Sequence, residues 1–293
     1  MSGEESSLSL KAYAKINLGL EVLGKRPDGY HEVAMIMQSV GLHDIVKLSR
    51  REEAITLSCD RTDLPCDPSN LAYRAAALLR QEFGATPGVH IELTKRIPLA
   101  AGLAGGSTDA AAVLKGLNRL WRLALSPVEL EQLAARLGSD VPFCLWGGTS
   151  LATGRGEILT PLPDFTGHGV VLLNPPLQVS TAWVYGNYRG AAGNRRRDIS
   201  SLRHSIEQQD FLAVAGALFN DLETVTIPAY PQVAAIKEQL LQAGAAGVLM
   251  SGSGPTVFAL TPDQASAGEL AGRAVLGAGV AVFIAETVAR EEM

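Results

Sequence analysis

The chain has few of the residues and runs that mark several classes of protein. Its three cysteines, Cys59, Cys66 and Cys144, are an odd number without a CxxC pair, so neither a disulfide framework nor a zinc site is predicted. Charged residues make up 19% of the chain, and the longest run of like charge, Arg195–Arg197, is too short for a protein that coats a nucleic-acid backbone. No window reaches the ~18 consecutive apolar residues of a membrane helix, and the polar start, 1–7, does not resemble a secretory signal. We therefore expect a soluble protein of the reducing cytoplasm, with neither nucleic acid nor a membrane as its partner.

Apolar residues, in contrast, are abundant enough for a substantial core. They make up 47% of the 293 residues, and the net charge is −5, which suits one or two globular domains. A weakly packed stretch that contains Pro161, Pro163 and Gly167 lies between apolar runs. We therefore predict a domain boundary there, with one domain at 1–162 and a second at 163–293.

Apolar residues alternate from Leu8 to Val22, which is the period of a half-buried strand. The other face of this strand carries Lys15 and Asn17, and side chains two positions apart point to the same side at about 6.6 Å spacing. The two polar groups could therefore meet one ligand. A solvated face is the alternative interpretation, and the strand alone does not decide between them.

The remaining periodicities predict an α+β fold. In the first half, strands are predicted at 33–40, 45–48 and 55–57 in an antiparallel sheet, with helices at 70–83 and 108–121 and a strand at 89–93 between them. A capping box at Ser126 and Glu129 predicts a further helix, which ends at Gly138. In the second half, strands are predicted at 170–173, 248–250, 256–260 and 280–284, and helices at 181–188, 211–219, 232–242 and from Asp263.

Small residues dominate the loop between the strand at 89–93 and the helix at 108–121. The loop residues are Pro98, Leu99, Ala100, Ala101, Gly102, Leu103, Ala104, Gly105, Gly106, Ser107 and Thr108. Small side chains let the backbone approach a ligand closely, and amide groups at a helix N-terminus attract an anion, so we predict a phosphate site. A flexible connector capped by Ser107 or Thr108 is the alternative, and the Walker pattern is absent.

This loop resembles the second motif of the galactokinase, homoserine kinase, mevalonate kinase and phosphomevalonate kinase (GHMP) superfamily. Ala14–Leu18 resembles the first motif of that superfamily, and Met250–Phe258 resembles its glycine-rich third motif. Arg26–His31 and Gly138–Phe143 are similar to the segments that distinguish the 4-diphosphocytidyl-2-C-methyl-D-erythritol kinases. The resemblance covers nearly the whole chain, in order and at the spacing of the family.

The resemblance implies a fold, a reaction and catalytic residues. The expected fold has an N-terminal domain related to ribosomal protein folds and a C-terminal ferredoxin-like domain, with the active site between them. The expected reaction moves the γ-phosphoryl group of ATP to the 2-hydroxyl of 4-diphosphocytidyl-2-C-methyl-D-erythritol, in the non-mevalonate route to isoprenoid precursors. Asp140 is implied as the catalytic base and Lys15 as the stabilising cation. By its own sequence context, after Gly138 and before Pro142, Asp140 could equally be a turn or capping residue.

The family also implies the ligands at each end of the substrates. Mg²⁺ is expected to bridge the ATP phosphates, with a hydroxyl of Ser107 or Thr108 within possible reach. Tyr30 and His31 match the pair that holds the cytosine, one by stacking and the other by hydrogen bonds, and Tyr185 matches the aromatic residue on the opposite face of the ring. Asn17 is a candidate contact to the same substrate. For each tyrosine taken singly, a packing or surface role is the alternative, and for Asn17 it is a polar surface role.

This chain departs from many members of the family where the loop has alanine in place of glycine. Because alanine disfavours a positive φ, we expect Ala100, Ala101 and Ala104 to adopt ordinary backbone angles. The remaining histidines show no metal-binding spacing, and Arg195–Arg197 could steer an anionic substrate or belong to a solvated loop.

Two other functions fit parts of the pattern. Another superfamily kinase, for mevalonate or homoserine, would share the loop but would not need Tyr30, His31 and Tyr185. An inactive sensor on the same fold would not need both Lys15 and Asp140.

Overall fold

A computed structural model describes residues 6–84, 87–190, 198–275 and 277–290. Arg195–Arg197, the candidate steering segment, lies outside the described residues. The elements follow in the order β1 (Ser7–Lys25), β2 (His31–Arg51), β3 (Ile55–Cys59), α1 (Leu71–Phe83), β4 (Gly88–Thr94), α2 (Gly105–Leu120), α3 (Pro127–Leu137), α4 (Val141–Trp146), β5 (Thr149–Thr153), β6 (Ile158–Pro161), β7 (Gly169–Asn174), α5 (Thr181–Asn187), α6 (Ile199–Glu207), α7 (Phe211–Ala217), β8 (Phe219–Asn220), α8 (Glu223–Ala229), α9 (Pro231–Gln242), β9 (Gly247–Met250), β10 (Val257–Thr261), α10 (Gln264–Arg273) and β11 (Ala281–Glu286).

The chain forms two compact units from interleaved segments. The first unit takes the described parts of 1–14, 43–97 and 104–146, and the second takes those of 15–42, 98–103 and 147–293. Strands β1 and β2 contribute residues to both units. The sequence analysis expects a single boundary instead, and the division of the chain into family domains at 1–162 and 163–293 stays a prediction.

In the first unit, helix α2 is the central element. It packs against α1, α3 and α4, and three consecutive alanines, 110–112, let those helices approach closely. Strand β4 pairs antiparallel with β2, from Ile45 opposite Thr94 to Arg51 opposite Gly88, and parallel with β3. The sheet is therefore mixed, and the prediction of an antiparallel sheet is wrong for the β3–β4 pair.

In the second unit, an antiparallel sheet in the order β11-β7-β10-β9 supplies much of the core. Its two inner strands are apolar and buried at 170–173 and 257–260, and helices α9 and α10 pack on the sheet. Strand β5 pairs with β2 and β6, and β8 pairs parallel with β1 at Gly19 and Leu20. The loop between β9 and β10 carries the third motif.

Local signals predicted most of the helices, but α4, α6 and α8 were not predicted, and the strands were predicted less well. Asn70 caps α1, and Ser126 and Glu129 form the predicted capping box of α3, which ends before Gly138. The predicted strands at 33–40 and 45–48 are one continuous strand, β2. The half-buried interpretation of β1 is wrong at its centre, where both faces are buried from Ala12 to Leu20. No helix in the described parts of the chain is long and apolar enough to cross a bilayer.

Candidate active site

Lys15 and Asn17 lie on the same face of β1, as predicted, and that face is buried. Lys15 is 4% exposed and Asn17 is fully buried. The Lys15 ammonium donates hydrogen bonds to Asn17 Oδ1 at 2.7 Å and to the carbonyl oxygen of Gly102 at 3.2 Å. Asn17 Nδ2 also donates to Met35 Sδ at 3.5 Å. The interpretation of this face as solvated is therefore wrong. Because a buried ammonium loses much of its hydration, it needs fixed oxygen acceptors, and Asn17 and Gly102 supply them.

Gly102 is the point where the second and third motifs meet. Its φ is +75°, and a β-carbon added there would lie 2.2 Å from the carbonyl oxygen of Ser251, so only glycine fits without a backbone shift. Ser251 Oγ donates to the Gly102 carbonyl oxygen at 3.0 Å. A β-carbon on Gly252 would lie 3.5 Å from the Lys15 ammonium. Segments of all three motifs therefore surround one cation.

Asn220 holds the third-motif loop in place. Its Nδ2 atom donates to the carbonyl oxygens of Met250 at 2.8 Å and Gly252 at 2.7 Å, and the Asn220 residue is buried. The sequence analysis missed Asn220, although an asparagine three residues beyond an apolar helix is a recognisable candidate for such a role.

The N-terminus of α2 has the geometry of an anion site. The helix begins at Gly105 after Ala104, whose side chain provides no cap for the amide groups of the first turn. Thr108 lies inside the helix, and its buried hydroxyl donates to the Tyr13 carbonyl oxygen at 2.6 Å. The interpretation of Ser107 or Thr108 as the cap is therefore wrong, because both residues lie inside the helix.

The prediction of ordinary backbone angles for the three loop alanines is wrong at two of them. Ala100 and Ala104 have φ angles of +49° and +61°, whereas Ala101 is not among the residues with positive φ. A left-handed alanine costs about 1 to 2 kcal/mol. The shape of the loop therefore outweighs the intrinsic preference of the residue.

Asp140 lies in the first unit, in the turn between α3 and α4. It is half-buried, and its carbonyl oxygen accepts a hydrogen bond from the Cys144 amide at 3.1 Å. Its backbone therefore takes part in starting α4, whose first residue is Val141. In the described part of the chain, no group of three or more histidine, cysteine, aspartate or glutamate residues could hold a metal ion.

His31 and Tyr185 are brought together in the second unit. Their ring centroids lie 5.3 Å apart with an interplanar angle of 33°, and the Tyr188 ring lies edge-on to His31 at 6.4 Å. Burial, aided by the charge of Lys25, lowers the pKa of His31, so its imidazole is neutral at pH 7. A neutral imidazole offers one donor and one acceptor, which suits the edge of a pyrimidine.

Two further residues of this cluster escaped the sequence analysis. The hydroxyl of Tyr188 donates to Asp221 Oδ2 at 3.2 Å, and the same oxygen accepts the Val22 amide at 2.8 Å. The usable signal was the spacing of Tyr185 and Tyr188, because residues three apart share a face of a helical turn.

Tyr30 lies in the turn before β2, where the Arg155 guanidinium lies over its ring at 4.8 Å.

A buried charge cluster at the two ends of the small-residue loop, 98–108, was also missed. The Lys95 ammonium binds the carboxylates of Asp44 and Asp109, the latter at 2.6 Å. Asp44 Oδ1 accepts the amides of Arg96 at 2.6 Å and Ile97 at 2.8 Å, so the cluster fixes the chain that enters the loop and the helix that follows it. Burial raises the pKa of Asp109 to about 7. The charge of Asp44 adds to this rise, and the charge of Lys95, which both carboxylates share, opposes it. The signal for the cluster was a charged residue, Asp109, next to a run of alanines.

Comparison with known proteins places this geometry in a family. The family described as GHMP kinases N terminal domain matches residues 70–148, and that described as GHMP kinases C terminal matches residues 200–275. A 4-diphosphocytidyl-2-C-methyl-D-erythritol kinase of Synechococcus sp. (strain JA-3-3Ab) is 54% identical over 86% of this chain and 84% of its own length. The protein of that name from Brevibacillus brevis is 52% identical over 88% of this chain and 89% of its own. This chain belongs to the 4-diphosphocytidyl-2-C-methyl-D-erythritol kinase family.

A solved structure agrees with this membership. A crystal structure of 4-(cytidine 5'-diphospho)-2C-methyl-D-erythritol kinase superposes with a TM-score of 0.78 at 32% identity, over 96% of this chain and 99% of that one. The predicted family, the α+β GHMP kinase fold and the class of enzyme, a small-molecule kinase, are therefore confirmed. A kinase uses ATP as its co-substrate, which confirms that part of the predicted ligand set. The roles of individual residues in this kinase, Lys15 and Asp140 included, stay predictions.

Proposed function

We propose that this chain transfers the γ-phosphoryl group of ATP to the 2-hydroxyl of 4-diphosphocytidyl-2-C-methyl-D-erythritol, in the non-mevalonate route to isoprenoid precursors. The observation that carries the proposal is the buried Lys15 ammonium, around which segments of three motifs are packed. The relatives described above are named as enzymes of this reaction, and they match this chain over most of their length.

Asp140 acts as the general base. Its carboxylate accepts the proton of the 2-hydroxyl, the freed oxygen attacks the γ-phosphorus atom, and the bond from that phosphorus to the bridging oxygen of ADP breaks. The products are ADP and the 2-phosphate of the acceptor. Lys15 offsets the negative charge that develops on the transferred group. Since Asn17 is fully buried and binds the Lys15 ammonium, its proposed role is to orient Lys15, and burial weighs against the direct substrate contact predicted from the sequence.

The start of α2 binds the ATP phosphates through backbone amide groups. The uncapped first turn after Ala104 supplies amide donors, and the helix dipole favours the negative charge. Mg²⁺, held mainly through ATP, would neutralise phosphate charge. Ser107 fits as a protein ligand for this ion better than Thr108, because the Thr108 hydroxyl donates to the Tyr13 carbonyl oxygen. The rest of the loop, 98–103, would line the same ligand.

The aromatic residues Tyr30, His31 and Tyr185 select the base of the acceptor. The neutral imidazole of His31 supplies the hydrogen bonds that distinguish cytosine from uracil, and the rings of Tyr30 and Tyr185 stack on the pyrimidine. The cytoplasm as compartment and the absence of a nucleic-acid partner stay predictions from composition.

Single-turnover kinetics of Asp140→Asn, Lys15→Met and the double variant test the mechanism. Asp140→Asn keeps shape but accepts no proton, so the rate should fall by about 10² to 10⁴, while calorimetry shows both substrates still bound. Because residues that act as a unit lose activity non-additively, the double variant should be little slower than the slower single variant. Asp140→Asn with more than about a tenth of the parent rate would show that this carboxylate is structural. Additive losses of rate would show that Asp140 and Lys15 act independently and not as a unit.

The choice of acceptor is tested on the parent chain. Mass spectrometry after incubation with Mg-ATP and 4-diphosphocytidyl-2-C-methyl-D-erythritol, mevalonate, homoserine or galactose should show one added phosphoryl group on the first compound. Phosphorylation of another acceptor would overturn the proposed substrate. Binding of the diphosphocytidyl compound with no transfer to any acceptor would favour a sensor.

A further inference from the structure

The turn between β5 and β6 lies beside the turn that carries Tyr30. The Val33 amide donates to the Gly154 carbonyl oxygen at 2.9 Å, and β2 pairs with β5 from Met35 opposite Ala152. Gly154 and Gly156 have φ angles of +71° and +110°, which lets the β5–β6 turn present the side chain between them. That side chain is Arg155.

Arg155 is anchored within its own turn. Its backbone amide donates to Glu157 Oε2 at 2.6 Å, and its Nε donates to Glu157 Oε1 at 3.3 Å. The guanidinium carbon lies 4.8 Å from the centroid of the Tyr30 ring, within the range of a cation–π contact. The arginine is thus held at one end by a carboxylate and covers the tyrosine ring with the other.

Tyr30 is fixed in its backbone and open in its side chain. Its amide donates to Asp28 Oδ1 at 3.1 Å, and its carbonyl oxygen accepts the Arg26 amide at 2.8 Å. The Tyr30 residue is nevertheless 55% exposed. An exposed ring without a partner would sample several rotamers, and each lost rotamer would weaken the binding of a flat ligand. Arg155 supplies that partner on one face of the ring.

We propose that Arg155 is a positioning residue for the acceptor, which holds the Tyr30 ring as a stacking platform for the cytosine. This inference rests on the proposed function. The cation occupies one face of the ring, and the base stacks on the other. Arg155 acts through Tyr30 and makes no contact with the phosphoryl group that is transferred, so its effect belongs to acceptor affinity.

Steady-state kinetics of Arg155→Met and Arg155→Lys test the proposal. Arg155→Met keeps much of the stem and removes the cation, so the KM for the diphosphocytidyl acceptor should rise about two- to fivefold, with kcat and the KM for ATP unchanged. Arg155→Lys should recover part of the affinity, because it restores the charge without the planar group. Arg203→Met on α6, which breaks a more exposed arginine–glutamate pair, is the control and should leave all three constants unchanged.

A double-variant cycle separates positioning from direct contact. In a Tyr30→Leu background, Arg155→Met should add no further increase in KM, because the ring through which it acts is gone. An increase of the same size in that background would overturn the proposal by showing that Arg155 binds the acceptor itself, and so would an unchanged KM for Arg155→Met in the parent. A fall in kcat alone, with thermal unfolding unchanged, would also overturn it. A parent chain that does not phosphorylate this acceptor overturns the proposed function and this inference together. The kinetic outcomes above overturn the role of Arg155 alone, so the two failures can be distinguished.

Discussion

The second unit contains two regions with proposed functions, and these regions are built by opposite means. The motif core, formed by Lys15, Asn17, Gly102, Ser251 and Gly252, is largely buried and joined through backbone carbonyl groups and a glycine that leaves no room for a methyl group. The aromatic cluster, formed by His31, Tyr185 and Tyr188 with Tyr30 next to His31 in the chain, is partly exposed. The His31 ring touches the rings of Tyr185 and Tyr188, with centroids 5.3 and 6.4 Å apart.

This difference fits the role proposed for each region. A cation that stabilises a transferred phosphoryl group needs fixed geometry, and backbone contacts supply it at little entropic cost. Recognition of a base needs flat surfaces and a few hydrogen bonds, which side chains provide without reshaping the backbone. Substitutions in the motif core should therefore change folding and turnover together, whereas substitutions in the aromatic cluster should change acceptor affinity alone.

The largest effect is expected for Gly102→Ala. The added methyl group would lie 2.2 Å from the Ser251 carbonyl oxygen at a φ of +75°, so crowding adds to backbone strain and the free energy of unfolding should fall by about 3 kcal/mol. Urea denaturation measures that loss, and single-turnover kinetics should show a slower transfer. Gly244→Ala is the matched control, because Gly244 also has a positive φ, +96°, but a β-carbon there would meet nothing within 4 Å. Equal losses for the two variants would show that strain, not the contact with Ser251, matters at Gly102.

A smaller and more selective effect is expected for Tyr185→Ala. Loss of a stacking ring should raise the KM for the diphosphocytidyl acceptor about 5- to 150-fold and leave the unfolding midpoint nearly unchanged. Tyr185→Phe keeps the ring against His31 and should stay within about threefold of the parent, since a phenyl ring stacks as a phenol does. If the KM for ATP rises instead, Tyr185 belongs to the nucleotide-triphosphate side, and the contrast between the two regions fails.

The contrast also explains how much of the site the sequence could predict. The alternation in β1 placed Lys15 and Asn17 on one face correctly, because strand geometry is local. It did not predict that this face is buried, since the covering groups, Gly102 and Gly252, come from distant parts of the chain. A single sequence therefore indicates which side chains share a face but not what covers them.

The same limit applies to the fold and to the loop. The caps of α1 and α3 were predictable, because a cap is decided by residues within one turn. The short strands β5 and β6 were missed, since their pairing with β2 is decided by register and not by their own pattern. The positive φ of Ala100 and Ala104 could not be predicted from alanine, because the loop geometry overrides the residue's own preference.

The smallest effect is expected from the charge near His31. Burial is the main cause of the lowered pKa of His31, and the Lys25 charge adds to it, so the folded chain protonates this imidazole at a lower pH than an ordinary histidine. The unfolded chain takes up this proton first, so His31 makes stability fall as the pH drops below 6.5 towards the folded pKa. The KM for the acceptor should rise only as the folded imidazole itself takes up the proton, when the pH falls through the folded pKa.

Lys25→Met removes the like charge but not the burial. The pKa of His31 should therefore rise slightly, and the KM for the acceptor at pH 6 should increase by less than about threefold, while the KM at pH 8 stays the same. Titration of the His31 ring by NMR, with the pH profile of KM, measures both changes. An unaltered titration would assign the whole shift of the His31 pKa to burial. At pH 8 the imidazole is neutral in both proteins, so His31 does not affect the comparison there. An equal increase in KM at pH 8 would therefore show that Lys25 contributes to acceptor binding directly.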